Sequence, residues 1–188
     1  MFDSPTKNRI AEAFKTLLKE KPYSSIKVKN IVDLAGVSSM TFYRSFSDKD
    51  EMVESICFED LMLFTKIYGS NAELRSITVC MLNTIKSNSG FYAALFQDED
   101  SMDSFMRALS RVSYEATGTK GSATTLSNCK EILQEWANEN FATSVDDIYT
   151  KWIAEMPLRA VLNEKELAAA IKSFEKRTLE EFKKQIKK

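Results

Sequence analysis

The chain contains no histidine, and its three cysteines, Cys57, Cys80 and Cys129, stand far apart. No Cys-x-x-Cys pair occurs, so the ligand spacing of a zinc site is missing. An odd number of scattered thiols reads as reduced cysteine rather than as a disulfide framework. Five glycines and three prolines in 188 residues fall below average usage and favour long helices over a turn-rich fold of strands. No apolar run reaches the length needed to cross a bilayer, and the N-terminus lacks the apolar core of a signal peptide. The expectation is a soluble, cytoplasmic protein without membrane contact. No nucleophile elbow, metal-ligand spacing or dinucleotide fingerprint is found; the chain does not read as an enzyme, and no cofactor is expected.

What is present suits a globular protein. Hydrophobic residues make up 44% and charged residues 28%, and a chain of this length can bury a full core without cross-links. The net charge is −1, but it is unevenly spread. Residues 1–50 hold nine Lys/Arg against six Asp/Glu, a net +3, while the other 138 hold 17 against 21, a net −4. A basic end on an acidic body is the distribution expected of a DNA-contacting module joined to a soluble body.

Helical periodicity recurs along the chain. Ser4 and Pro5 open a first helix whose stripe is Ile10, Phe14, Leu17 and Leu18, with a stop near Glu20 ahead of Pro22. Short helices are predicted over 27–34 and 38–45. A long one starts at Lys49, with Met52, Ile56, Leu63 and Ile67 inward, and ends at Gly69. Further stripes are Leu74, Ile77, Thr78, Met81, Leu82 and Ile85; Phe91, Tyr92, Leu95 and Phe96; and Met102, Phe105, Met106, Leu109 and Val112. After a loop at 117–122 come Leu126, Cys129, Leu133, Trp136 and Ala137. Val145, Ile148, Tyr149 and Trp152 follow, with Ser144 as cap. Pro157 interrupts, and a last helix, preceded by the capping pair Asn163 and Glu166, carries Leu167, Ile171, Phe174, Thr178 and Phe182. No segment reads as a strand; the fold class is all-α.

The most informative segment is 27–46. It reads as two short amphipathic helices around a tight turn. Gly36 supplies the left-handed residue that ends the first helix, Val37 is expected in the elbow, and Ser38 caps the second. Phe42 and Phe46, four apart, put two rings on one face. The opposite face carries Ser39, Met40, Thr41, Tyr43, Arg44 and Ser45, short and polar enough to enter a major groove.

The run Ala35-Gly36-Val37-Ser38-Ser39-Met40-Thr41-Phe42-Tyr43-Arg44-Ser45-Phe46, followed by Asp48-Lys49-Asp50-Glu51-Met52, resembles the N-terminal signature of TetR-family regulators. The resemblance covers roughly residues 6–56. It implies a three-helix DNA-binding head over 1–48 with a helix-turn-helix, joined to a helical-bundle body over 49–188 that binds ligand and dimerises. By position, Lys29, Thr41, Tyr43 and Lys49 resemble the family's phosphate contacts. Ser39, Met40 and Ser45 resemble its base-facing residues, with Ser38 and Arg44 at the margin. Three positions depart from the family pattern. Met40 replaces a small residue and is expected to favour an apolar contact such as a thymine methyl. Lys27 stands for threonine, and Val32 for alanine. The implied function is a homodimeric regulator of a palindromic double-stranded operator, a repressor released by a small apolar or amphipathic effector. The alternative is a DNA-binding regulator without small-molecule ligand, controlled by a protein partner or by abundance.

In the body, Phe58, Met62, Met81, Phe91, Phe96, Phe105, Met106 and Trp136 each read first as plain core; together they could equally line an adaptable pocket between helices, a reading to which the resemblance adds weight. Dimerisation is expected around 126–141 and the stretches bearing Trp152 and Phe174. The cluster Asp98, Glu99, Asp100 and Asp103 lacks the glycine and terminal glutamate of a calcium loop. It is expected to be the acidic start of a helix.

Overall fold

The computed structural model describes residues 2–63, 74–117 and 123–155. Helix α1, Pro5–Glu20, begins as expected: the Ser4 hydroxyl accepts from the Lys7 amide at 3.4 Å, proline occupies the first turn, and extended Lys21 ends it. Its buried face comprises Ile10, Ala11, Ala13, Phe14, Leu17 and Leu18. A 3-10 turn, Tyr23–Ser25, leads into α2, Val28–Ala35, and α3, Ser39–Ser45. Helix α4, Lys49–Leu61, opens with a reciprocal cap: the Asp48 carboxylate accepts from the Glu51 amide at 2.7 Å, and the Glu51 carboxylate accepts from the Ser47 amide at 2.5 Å. There follow α5, Leu74–Ser87; α6, Ser89–Phe96; α7, Glu99–Thr117; α8, Ala123–Asn138; and α9, Val145–Glu155. No strand occurs among the described residues, and none of their helices is long and apolar enough to cross a membrane.

Helix α4 lies most extensively against α7, α1 against α2 and α6, and α9 against α5 and α8. A chain of aromatic contacts joins α1 through α6 to α7. Phe14 on α1 meets Phe91 on α6 at 6.3 Å between centroids; Tyr92 meets Phe105 on α7 at 5.8 Å, and Phe105 meets Phe96 at 4.8 Å. Edge-to-face geometry adds to the burial energy of rings this large. At the end of α8, Asn140 and Phe141 take positive φ of 54° and 57°. The reversal folds Phe141 onto Trp136 at 5.1 Å and lets the indole N–H donate to the Thr143 carbonyl at 3.0 Å.

Some side chains face differently from the periodic reading. Leu63 is 41% exposed. The helix ends at Leu61 with Met62 as its cap, so position 63 falls outside the predicted stripe; the inward set is Met52, Val53, Ile56, Cys57 and Leu61. On α8 the buried face is Thr125, Cys129, Ile132, Leu133 and Trp136, which leaves Leu126 and Ala137 half-buried at its margin. Val37 is half-buried rather than enclosed. Ile67, Gly69, the loop from residue 118, Pro157, the pair Asn163 and Glu166, and the last predicted helix with Phe174 lie outside the described residues.

Candidate nucleic-acid interface

The turn between α2 and α3 is built around Gly36, whose φ is 62°. Its amide donates to Asp33 O at 3.3 Å and the Val37 amide to Val32 O at 3.1 Å, the two bonds with which a left-handed residue closes a helix. Arg9 of α1 reinforces the stop: one guanidinium nitrogen donates to Ala35 O at 2.6 Å and Gly36 O at 2.9 Å. A cation at a helix C-terminus is favourable in itself, and here it also fastens α1 to α2.

Helix α3 is held from behind. Phe42 and Phe46 are buried with centroids 5.8 Å apart; Phe2 meets Phe46 edge-on at 5.9 Å, and the Lys7 ammonium lies 5.0 Å from the Phe46 ring centre. The front is open. Met40 is 72% and Tyr43 58% exposed, and Ser38, Ser39 and Arg44 are exposed as well. Several of the hydroxyls are already engaged. Ser38 Oγ accepts from the Thr41 amide at 3.1 Å and lies 2.9 Å from Thr41 Oγ1. The Ser45 hydroxyl donates to Thr41 O at 3.0 Å, and Thr41 and Ser45 are half-buried. Lys29, on α2, is exposed.

Lys49, at a position that resembles a family phosphate contact, is engaged within the fold. Its ammonium donates to Tyr23 O at 3.1 Å and Ile26 O at 3.2 Å, and lies 3.6 Å from the centre of the Tyr23 ring. Burial lowers its pKa, partly offset by Asp50, Asp98 and Asp100. The Tyr23 hydroxyl in turn donates to the Asp50 carboxylate. Lys49 and Asp50 thus clasp the start of α4 to the 3-10 turn.

Residues 10–56 match the model for bacterial regulatory proteins of the tetR family. Over that stretch the chain is similar to the TetR family. A curated relative, the HTH-type dhaKLM operon transcriptional activator DhaS of Lactococcus lactis subsp. lactis, is 26% identical over 103 residues, or 53% of this chain; the match spans 54% of that relative, about half its length. Among solved structures, a TetR transcriptional regulator from Streptococcus agalactiae 2603V aligns over 80% of this chain and 93% of its own, with a TM-score of 0.57 and 24% identity. The dihydroxyacetone kinase operon activator DhaS aligns over 84% and 96%, with a TM-score of 0.51 and 18% identity. A TetR regulator from Rhodococcus sp. RHA1 aligns over 81% and 97%, at 0.53 and 16%. These structural likenesses are likenesses of fold.

The helices from α4 onward divide the predicted pocket residues. Phe91, Phe96 and Phe105 meet in one buried cluster around Tyr92. Met81 and Trp136 are also buried, but the Trp136 ring is covered by Phe141 and approached by the Lys86 ammonium at 6.0 Å. Phe58, Met62 and Met106 are half-buried, with the Arg111 guanidinium 4.2 Å from the Phe58 ring centre. The Tyr92 hydroxyl is buried without a hydrogen-bond partner among the described residues. Burial pushes the Cys57 thiol up, and the Cys129 thiol up to about 12; both behave as apolar core. In the acidic cluster, Asp98 caps the Ser101 amide at 3.2 Å, while Glu99 and Asp103 hold Lys130 of α8 at 2.6 and 3.2 Å. No group of metal-binding side chains occurs among the described residues. Residue spacing pointed to none of Arg9, Tyr23 or Asp50. Their roles depend on where α1 and the 3-10 turn cross α2 and α4, which no local pattern encodes.

Proposed function

We propose that the protein is a DNA-binding transcription regulator acting as a homodimer, with residues 1–48 as the operator-reading head and 49–188 as the dimerising, effector-sensing body. One observation carries this reading: within the family-matched segment, α3 presents Met40, Tyr43 and Arg44 outward while two buried phenyl rings brace it from behind. A helix so exposed fits the major groove, and one short helix gives little affinity alone. A two-fold pair places two such helices about 34–36 Å apart, which calls for a near-palindromic operator. Helix α4 runs from the clasp at Tyr23 to its packing on α7. An effector that prefers a subunit spacing unfit for DNA would therefore act through it. Coupling of about 1–3 kcal/mol changes affinity by about 5- to 150-fold.

The sign of regulation has two readings. Release of a repressor by a small apolar or amphipathic effector is the first. The second, activation, is favoured by the name of the Lactococcus relative, an operon transcriptional activator. A reporter fused to the DNA upstream of the chain's own gene separates them, since deletion of the regulator raises the signal in the first case and lowers it in the second. DNA binding itself is tested by gel shift on that DNA at low salt. Wild type should retard it, and Tyr43→Ala should lose about tenfold or more in affinity, on the order of 1–3 kcal/mol, while sedimenting as the same dimer. Equal retardation by both proteins would remove the assignment of α3.

A further inference from the structure

Three of the hydroxyls on the face of α3 are spent within the helix: Ser38 and Thr41 on each other and on the Thr41 amide, Ser45 on the Thr41 carbonyl. What remains free and outward is a narrower set. Met40 is the most exposed large apolar side chain among the described residues. Arg44 is exposed and makes no hydrogen bond or ion pair among the described residues. The two are four residues apart and so lie one above the other on a single stripe. Tyr43 and Ser39 occupy the neighbouring stripe, displaced about 100° around the axis.

We propose that operator specificity is carried by this Met40–Arg44 stripe, which reads a thymine methyl and a guanine within about two base steps of each other in each half-site. This rests on the reading of α3 as a major-groove helix. An exposed methionine offers no hydrogen bond, and among base edges in the major groove the thymine methyl is the apolar feature. Its unbranched, polarisable chain adapts to such a surface. An unpaired guanidinium is matched by the two acceptors of guanine, O6 and N7. The spacing follows from helix geometry. Four residues rise about 6 Å, close to two steps of about 3.4 Å along a strand, so the two bases are neighbours or next neighbours.

The test starts from a randomised duplex library, from which the full-length protein selects its sites. Each selected half-site should contain a thymine and a guanine within two steps. Base analogues then separate the contacts. Replacing that thymidine by deoxyuridine removes one methyl group and nothing else. It should weaken wild-type binding by about fourfold per half-site, the value of one buried methyl, leave Met40→Ala unaffected, and still weaken Met40→Leu. Replacing the guanine by 7-deazaguanine should weaken wild type by about tenfold and leave Arg44→Ala unaffected. Circular dichroism melting of the variants excludes a folding defect. Selected sites without the thymine–guanine pair, or analogue effects equal in wild type and variant, overturn the proposal while leaving α3 as a DNA-binding element. Failure of the wild type to select any sequence or to bind duplex at low salt overturns the underlying reading as well.

Discussion

The geometry of the head depends on two neighbouring side chains at the start of α4. Lys49 donates hydrogen bonds to the Tyr23 and Ile26 carbonyls and covers the Tyr23 ring, while Asp50 accepts from the Tyr23 hydroxyl. Removing a charged donor from half-buried carbonyls costs about 1–3 kcal/mol. Lys49→Met should therefore lower the urea midpoint by a stability change of about that size, with the denaturant slope unchanged. An unaltered midpoint would mean that water replaces the ammonium without loss. Tyr23 also sets an alkaline limit. Burial, then the Asp50 hydrogen bond and charge, raise its pKa, and burial raises that of Tyr92. The folded protein keeps both phenol protons where the unfolded chain sheds them, near pH 10. Stability is thus fully present below that pH and falls as pH rises through it. In a spectrophotometric titration, two phenols should ionise only together with the loss of helical signal, and one in Tyr23→Phe. Phenolate absorbance that develops fully while the helix signal is intact would contradict the burial.

At the scale of elements, the α2–turn–α3 unit depends on one left-handed residue. A Cβ at position 36 would meet an Arg9 nitrogen at 3.1 Å in a backbone already at φ 62°. Gly36→Ala should cost about 1–2 kcal/mol for the left-handed conformation. It should also loosen the Arg9 cap, so that melting temperature and DNA affinity fall together; retained affinity in a destabilised variant would show that α3 keeps its place without the turn. This unit was legible in sequence because its determinants are local. A glycine, a capping serine and two phenylalanines four apart each act within one helical turn. The short helices α6 and α9 were legible for the same reason, through their periodicity and the Ser144 cap. The Tyr23–Lys49–Asp50 clasp was not, because Tyr23 and Lys49 lie 26 residues apart and meet through the crossing of separate elements. The commitment of Thr41 and Ser45 to bonds within α3 was also hidden. A serine at such a position serves a cap or a base equally well until its rotamer is known.

At the scale of the whole molecule, a net charge of −1 means that attraction to DNA must come from placement of charge rather than from its sum. Two cations of the head are committed within the fold. Arg9 is bound to the end of α2 and Lys49 to the 3-10 turn, while Lys29 stands exposed on α2, the cation proposed to meet a phosphate. Each phosphate neutralised contributes about −0.9 to the slope of log affinity against log salt, and a two-fold dimer doubles every contact. Lys29→Ala should therefore make the slope shallower by about two and weaken binding evenly across sequences. Lys49→Met should lower stability but leave the slope within error of wild type, measured on one duplex from about 50 to 200 mM salt. A slope that loses about two in Lys49→Met as well would show that the ammonium leaves the Tyr23 and Ile26 carbonyls on docking. The clasp would then be exchanged for a phosphate, and the start of α4 would become the joint at which DNA binding is felt by the body.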